Sequence, residues 1–86
     1  MQKYTKIYMK YFGYQIAEDV NCEICWFAYP DDFRFVVDVH HIHGRGKDKD
    51  VISNLIGLCR IHHLQCHNED INKETVQMIH DKFMKK

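Results

Sequence analysis

The chain has one proline, four glycines and one tryptophan, and its twelve lysines and arginines are matched by twelve aspartates and glutamates across 86 residues. Proline and glycine this sparse exclude a Pro-rich or Gly/Ser-rich linker, and no segment repeats. No apolar run approaches the ~20 residues of a membrane span, so no membrane partner is expected. No basic stretch followed by an apolar run and a small-residue cleavage site opens the sequence, so a cytoplasmic setting with reduced thiols is the expectation. Zero net charge removes the overall basic footprint common in nucleic-acid-binding domains. The charges are nevertheless segregated: Lys3, Lys6 and Lys10, then Arg45, Lys47 and Lys49, then Lys82, Lys85 and Lys86, with acids at Asp31, Asp32, Glu69 and Asp70.

What the chain does have is histidine and cysteine. All four cysteines and six of the seven histidines lie between positions 22 and 67, a density that a small apolar core has no reason to recruit. A chain of this length buries only about 60–65% of the surface it exposes when unfolded. The reading is therefore one domain over residues 1–86, stapled by metal. Cys22 and Cys25, two residues apart in between, can converge on one tetrahedral zinc ion. Cys59 starts the other half of the knuckle. On a helix advancing ~100° per residue, His62 lies about 60° and Cys66 about 20° from Cys59. The spacing of three favours His62 as fourth ligand, with Cys66 as the substitute.

Tyr4, Ile7, Tyr8 and Tyr11 form one stripe of a helix over residues 3–12, ended by Gly13. Trp26, Phe27 and Tyr29, then Phe33, Phe35, Val36, Val37 and Val39, flank Pro30-Asp31-Asp32 and predict a hairpin whose second strand runs into His40 and His41. Residues 43–53 read as a loop, with Gly44 and Gly46 around Arg45. A short strand or extended turn over Leu55–Leu58 is followed by a helix near Cys59. A last helix follows Asn72 as N-cap, with Val76, Ile79 and Phe83 on its buried stripe. His43 and His80 read as surface residues.

His63 and His67, about 40° apart on their helix, can face a second ion that His40 completes from the strand. His40 and His41 are neighbours on a strand and point to opposite faces, so they take different roles. One ligates, while the other takes a proton from water. A phosphodiester demands that pairing of a base with a Lewis acid. Asn54, offering both a donor and an acceptor, can fix the His41 ring.

Cys22-x-x-Cys25, then Asp38-Val39-His40-His41-Ile42, the Gly44-Arg45-Gly46 loop, Asn54-Leu55-Ile56-Gly57-Leu58-Cys59, and the histidines at 63 and 67 together resemble the HNH endonucleases. The likeness is to the small phage-type members with a zinc knuckle, over residues 12–67, and the spacing is also similar to the colicin nuclease domains. The resemblance implies a small α+β fold, with a ββα-metal core, a structural zinc knuckle and flanking N- and C-terminal helices. It implies a DNA endonuclease or nickase that leaves 5′-phosphate and 3′-hydroxyl ends. His40, His63 and His67 would hold the catalytic divalent ion (Mg²⁺, Mn²⁺, Ni²⁺ or Zn²⁺), with His41 as general base and Asn54 holding it. Arg45 and Lys47 would contact nucleic acid, and Asp38 would support a ligand from behind. The expected partner is DNA at low sequence specificity, with a homodimer or a phage packaging protein as further partners, inside a bacterial host. The chain departs from the pattern at Cys59-Arg60-Ile61-His62, where a second CxxC is usual, and at Lys47–Asp50, where glycines are usual. A rival class, a non-catalytic zinc ribbon binding nucleic acid or protein, explains Cys22, Cys25, Cys59 and His62 but leaves His40, His41, Asn54, His63 and His67 without a task.

Overall fold

A computed structural model describes residues 2–14, 20–31 and 34–86. It is a small α+β fold. Helix α1 (Lys3–Phe12) ends at Gly13, whose φ of 73° supplies the left-handed cap. Tyr4 and Tyr8 are buried as the stripe predicts, but Met9 joins them and Tyr11 faces solvent. Helix α2 (Glu23–Ala28), strands β1 (Asp38–His41) and β2 (Leu55–Leu58), helix α3 (Arg60–His67) and helix α4 (Lys73–Lys85) follow, with a 3-10 turn over Ile52–Asn54 before β2. Asn72 caps α4 by accepting from the Thr75 N–H at 2.8 Å, and Val76, Ile79 and Phe83 are buried beneath it.

The hairpin expected around Pro30 does not form as drawn. Residues 23–28 are helical because Cys22 caps them, its Sγ accepting from the Cys25 N–H at 3.5 Å. Bringing two thiols to one point bends this segment into a turn, and the aromatic run that reads as a strand continues that turn. Residues 34–36 instead lie antiparallel to residues 20–22, through Cys22 N to Arg34 O and Val36 N to Val20 O, both 2.8 Å. Asp32 and Phe33 lie outside the described residues.

The strand entering His40 and His41 pairs with β2. Its antiparallel register sets Asp38 against Leu58, Val39 against Gly57, His40 against Ile56 and His41 against Leu55. The pleat sorts these residues. Ile56 and Leu58 pack with the cysteines and α4, while Val39 and Leu55 pack with Tyr4, Tyr8 and Val36. His40 therefore lies on the α3 side of the sheet and His41 on the α1 side. Gly57 is required at its place: a Cβ there would sit 2.7 Å from the Tyr8 hydroxyl and 2.9 Å from Val36.

Beneath this sheet lies a buried polar network. His80, expected at the surface, is fully buried. Its Nδ1 meets Glu23 Oε1 at 2.8 Å and its Nε2 donates to the Ile52 carbonyl at 2.6 Å. Glu23 Oε2 accepts from the Tyr8 hydroxyl and from the Gly57 N–H. Two acceptors around one ring explain the exception to the surface reading. Burial alone would lower the His80 pKa, but the Glu23 hydrogen bond and charge, with the Ile52 carbonyl, outweigh it and leave the ring more basic than usual.

Candidate metal centres and active site

Cys22, Cys25, Cys59 and His62 come together, all buried, with their ligand atoms within 4.8 Å of one another. Cys22 and Cys25 flank the start of α2, while Cys59 caps α3 and His62 follows one turn in. His62 Nδ1 lies 3.5 Å from Cys22 Sγ, 3.4 Å from Cys25 Sγ and 3.4 Å from Cys59 Sγ, and the Cys25 and Cys59 sulfurs are 3.9 Å apart. A tetrahedral zinc ion with Zn–S of about 2.3 Å and Zn–N of about 2.05 Å has S···N edges of about 3.6 Å and S···S edges of about 3.8 Å. The four donors thus describe a zinc-sized tetrahedron, and a structural metal such as zinc fits it. All four cysteines are free thiols. Cys66 is buried outside the cluster, so the fourth donor is His62. Burial pushes the Cys22 thiol up to about 12 and raises that of Cys25. Only a cation drawing off these protons turns them into strong donors. The Tyr29 ring stacks parallel to His62, centroids 6.2 Å apart.

His40, His63 and His67 form the second cluster, again with ligand atoms within 4.8 Å. His40 reaches α3 from β1, and His63 and His67, one turn apart on α3, answer it. Ring centroids lie 5.3 Å (His40–His63), 5.1 Å (His40–His67) and 4.6 Å (His63–His67) apart. Burial, and then the neighbouring His63 and His67, push the His40 pKa down to about 4. Burial likewise lowers His63. Neutral imidazoles are the form that ligates. Asp38, on the same strand face, holds its carboxylate 3.8 Å from His63 Nδ1. In contrast to the cysteine cluster, these rings are partly open to solvent.

They open on a cleft of about 400 Å³ that His41, Ile42, Gly44, Arg45, Cys66, Glu69 and Lys73 also line. His41 is 7% exposed. Its Nε2 meets Asp50 Oδ1 at 2.8 Å, and its ring stands edge-on to Tyr4 with centroids 4.6 Å apart. Arg45 donates to the Tyr4 hydroxyl at 2.8 Å and lies over its ring. Lys47, exposed on the same loop, is not among the cleft-lining residues.

Asn54 does not make the contact with the His41 ring that the sequence predicts. Its amide is spent on the loop backbone: Oδ1 accepts from the His43 N–H at 2.8 Å, and Nδ2 donates to the carbonyls of Lys49 at 2.9 Å and Gly44 at 3.2 Å. An amide carrying both polarities suits a loop that presents both. Sequence reading missed Asp50, Tyr4 and Lys73 as neighbours of the cleft. Asp50 is one of two acids in a polar loop, and nothing in its spacing points to His41.

No protein-family profile, curated protein or solved structure matches the chain. Among the described residues, no helix is long and apolar enough to cross a membrane.

Proposed function

We propose that the chain is a metal-dependent DNA endonuclease or nickase, built on a ββα-metal core in which β1, β2 and α3 carry the site. The observation behind this reading is the convergence of His40, His63 and His67 on one open cleft that a fourth imidazole, His41, also lines. A zinc ribbon needs the buried Cys22, Cys25, Cys59 and His62 set but has no use for a second, solvent-accessible histidine tripod.

In this reading the two faces of β1 divide the labour. His40, His63 and His67 would hold a divalent cation (Mg²⁺, Mn²⁺, Ni²⁺ or Zn²⁺), which would supply charge neutralisation at the phosphate. His41, one residue on, takes a proton from water. The resulting hydroxide attacks phosphorus, and the bond to the 3′ oxygen breaks, giving 5′-phosphate and 3′-hydroxyl ends. Arg45 and Lys73 bring cationic groups to the cleft, which suits the phosphates either side of the scissile one. So small a cleft fits low sequence specificity, and a second protomer or a packaging partner would supply targeting.

The test is cleavage of supercoiled plasmid by the zinc-loaded protein with each of the four cations. His41→Ala should keep its fold, zinc content and DNA affinity while the rate falls about 10²- to 10⁴-fold. Undiminished cleavage by that variant refutes the assignment.

A further inference from the structure

His41 lines the cleft, and it is held by Asp50, which does not. Its Nε2 meets Asp50 Oδ1 at 2.8 Å, and the side chains are 5% and 35% exposed. An ionised carboxylate only accepts, so this contact puts the ring proton of a neutral His41 on Nε2 and leaves the Nδ1 lone pair as its acceptor. Tyr4, held by Arg45, stands edge-on to the ring. Asp50 is itself fixed by the loop. Its neighbour Lys49 gives its carbonyl to Asn54 Nδ2, and Asn54 also ties down Gly44 and His43. The loop reaches this shape through Gly44 at φ 88°, Gly46 at φ 146° and Asp48 at φ 65°.

We infer that Asp50 is the positioning residue of the site. It selects the Nε2–H tautomer of His41, so that Nδ1 is the atom that accepts the proton from water, and Asn54 acts on His41 at one remove by holding the loop that carries Asp50. This inference rests on the nuclease reading for its catalytic consequence, but the tautomer itself does not. The proton leaves water for Nδ1, the hydroxide adds to phosphorus as the bond to the 3′ oxygen breaks, that oxygen takes a proton from solvent, and the Nε2–H···Oδ1 bond stays intact while the ring gains charge. An amide at position 50 can donate to Nε2 instead, which stabilises the opposite tautomer and turns Nδ1 into a donor. In a histidine held by a buried carboxylate, such an exchange removes most of the rate while leaving the geometry intact.

The test pairs spectroscopy with kinetics. Two-bond ¹H–¹⁵N correlation spectra of the zinc-loaded protein, at a pH where the ring is neutral and without added Mg²⁺, should show His41 as the Nε2–H tautomer, and Asp50→Asn should move it to Nδ1–H or to a mixture. With plasmid and Mg²⁺, Asp50→Asn should lose about 10²-fold or more in kcat with KM changed less than about threefold. Asp50→Glu, which keeps the carboxylate, should recover part of the loss. An Nδ1–H tautomer in the parent, or a kcat within twofold of the parent in Asp50→Asn, overturns the inference. The parent tautomer needs no variant to fold. A parent that cleaves but an Asp50→Asn that cleaves equally well sinks Asp50's role alone; a parent that cleaves nothing sinks the nuclease reading and this catalytic role with it.

Discussion

Replacing Glu23 with alanine tests the energetics of the interior most directly. The carboxylate is fully buried and serves three donors: His80 Nδ1, the Tyr8 hydroxyl and the Gly57 N–H. Removing it strands a buried imidazolium and two neutral donors. A buried donor left without an acceptor costs about 1–3 kcal/mol, and breaking a buried ion pair by deleting one partner costs about 3–5 kcal/mol. Water entering the truncated space relieves part of the loss, so about 3–5 kcal/mol is the expected total. A domain of this size has about 4–13 kcal/mol in hand, at about 0.05–0.15 kcal/mol per residue. The variant should therefore lose a large share of that margin. Urea unfolding of the zinc-loaded protein measures this, with zinc stoichiometry determined alongside because Glu23 sits between Cys22 and Cys25. Adding His80→Leu removes the stranded cation. The double variant should then be more stable than the two single losses added together predict, by at least about 1 kcal/mol. A single-variant loss below about 1 kcal/mol, or simple additivity, refutes the network as a source of stability.

Chelation should unfold the domain, because a structural zinc site of this type contributes on the order of 10 kcal/mol to folding; an unchanged cooperative melt after exhaustive zinc removal would contradict that. Gly57→Ala should destabilise by about 1–3 kcal/mol in the same urea assay, because its methyl meets Tyr8 and Val36 well inside contact distance, and a neutral effect would show that β2 shifts freely. His40 has a folded pKa of about 4 against its ordinary 6.5. Between those values the unfolded chain binds a proton that the folded chain refuses, so stability should fall as pH is lowered from 6.5 towards 4. His40→Gln should flatten that profile, and superimposable profiles would rule the effect out.

Much of the site was legible because its spacing is local. Cys22 with Cys25, Cys59 with His62, and His63 with His67 are separations that a turn or a helix converts directly into convergence, and Asn72 and Gly13 mark helix ends by their own chemistry. The Pro30 hairpin does not form because aromatics at this spacing are as compatible with a helix continuing from the cysteine turn as with a strand. Only the tertiary demand on the thiols decides between them. Glu23 and His80 were illegible for a different reason. They are 57 residues apart, and each alone resembles an ordinary surface residue. The same holds for Asp50, whose carboxylate gains a role only when the loop folds back over β1.

His62 and His63 are consecutive residues, yet one closes the sulfur-rich cage and the other belongs to the open tripod. Their Cα atoms are held about 3.8 Å apart by one peptide unit, so the placement of the outer tripod is inherited from the inner cage. Any distortion of the sulfur-rich cage should consequently reach the tripod through the backbone alone.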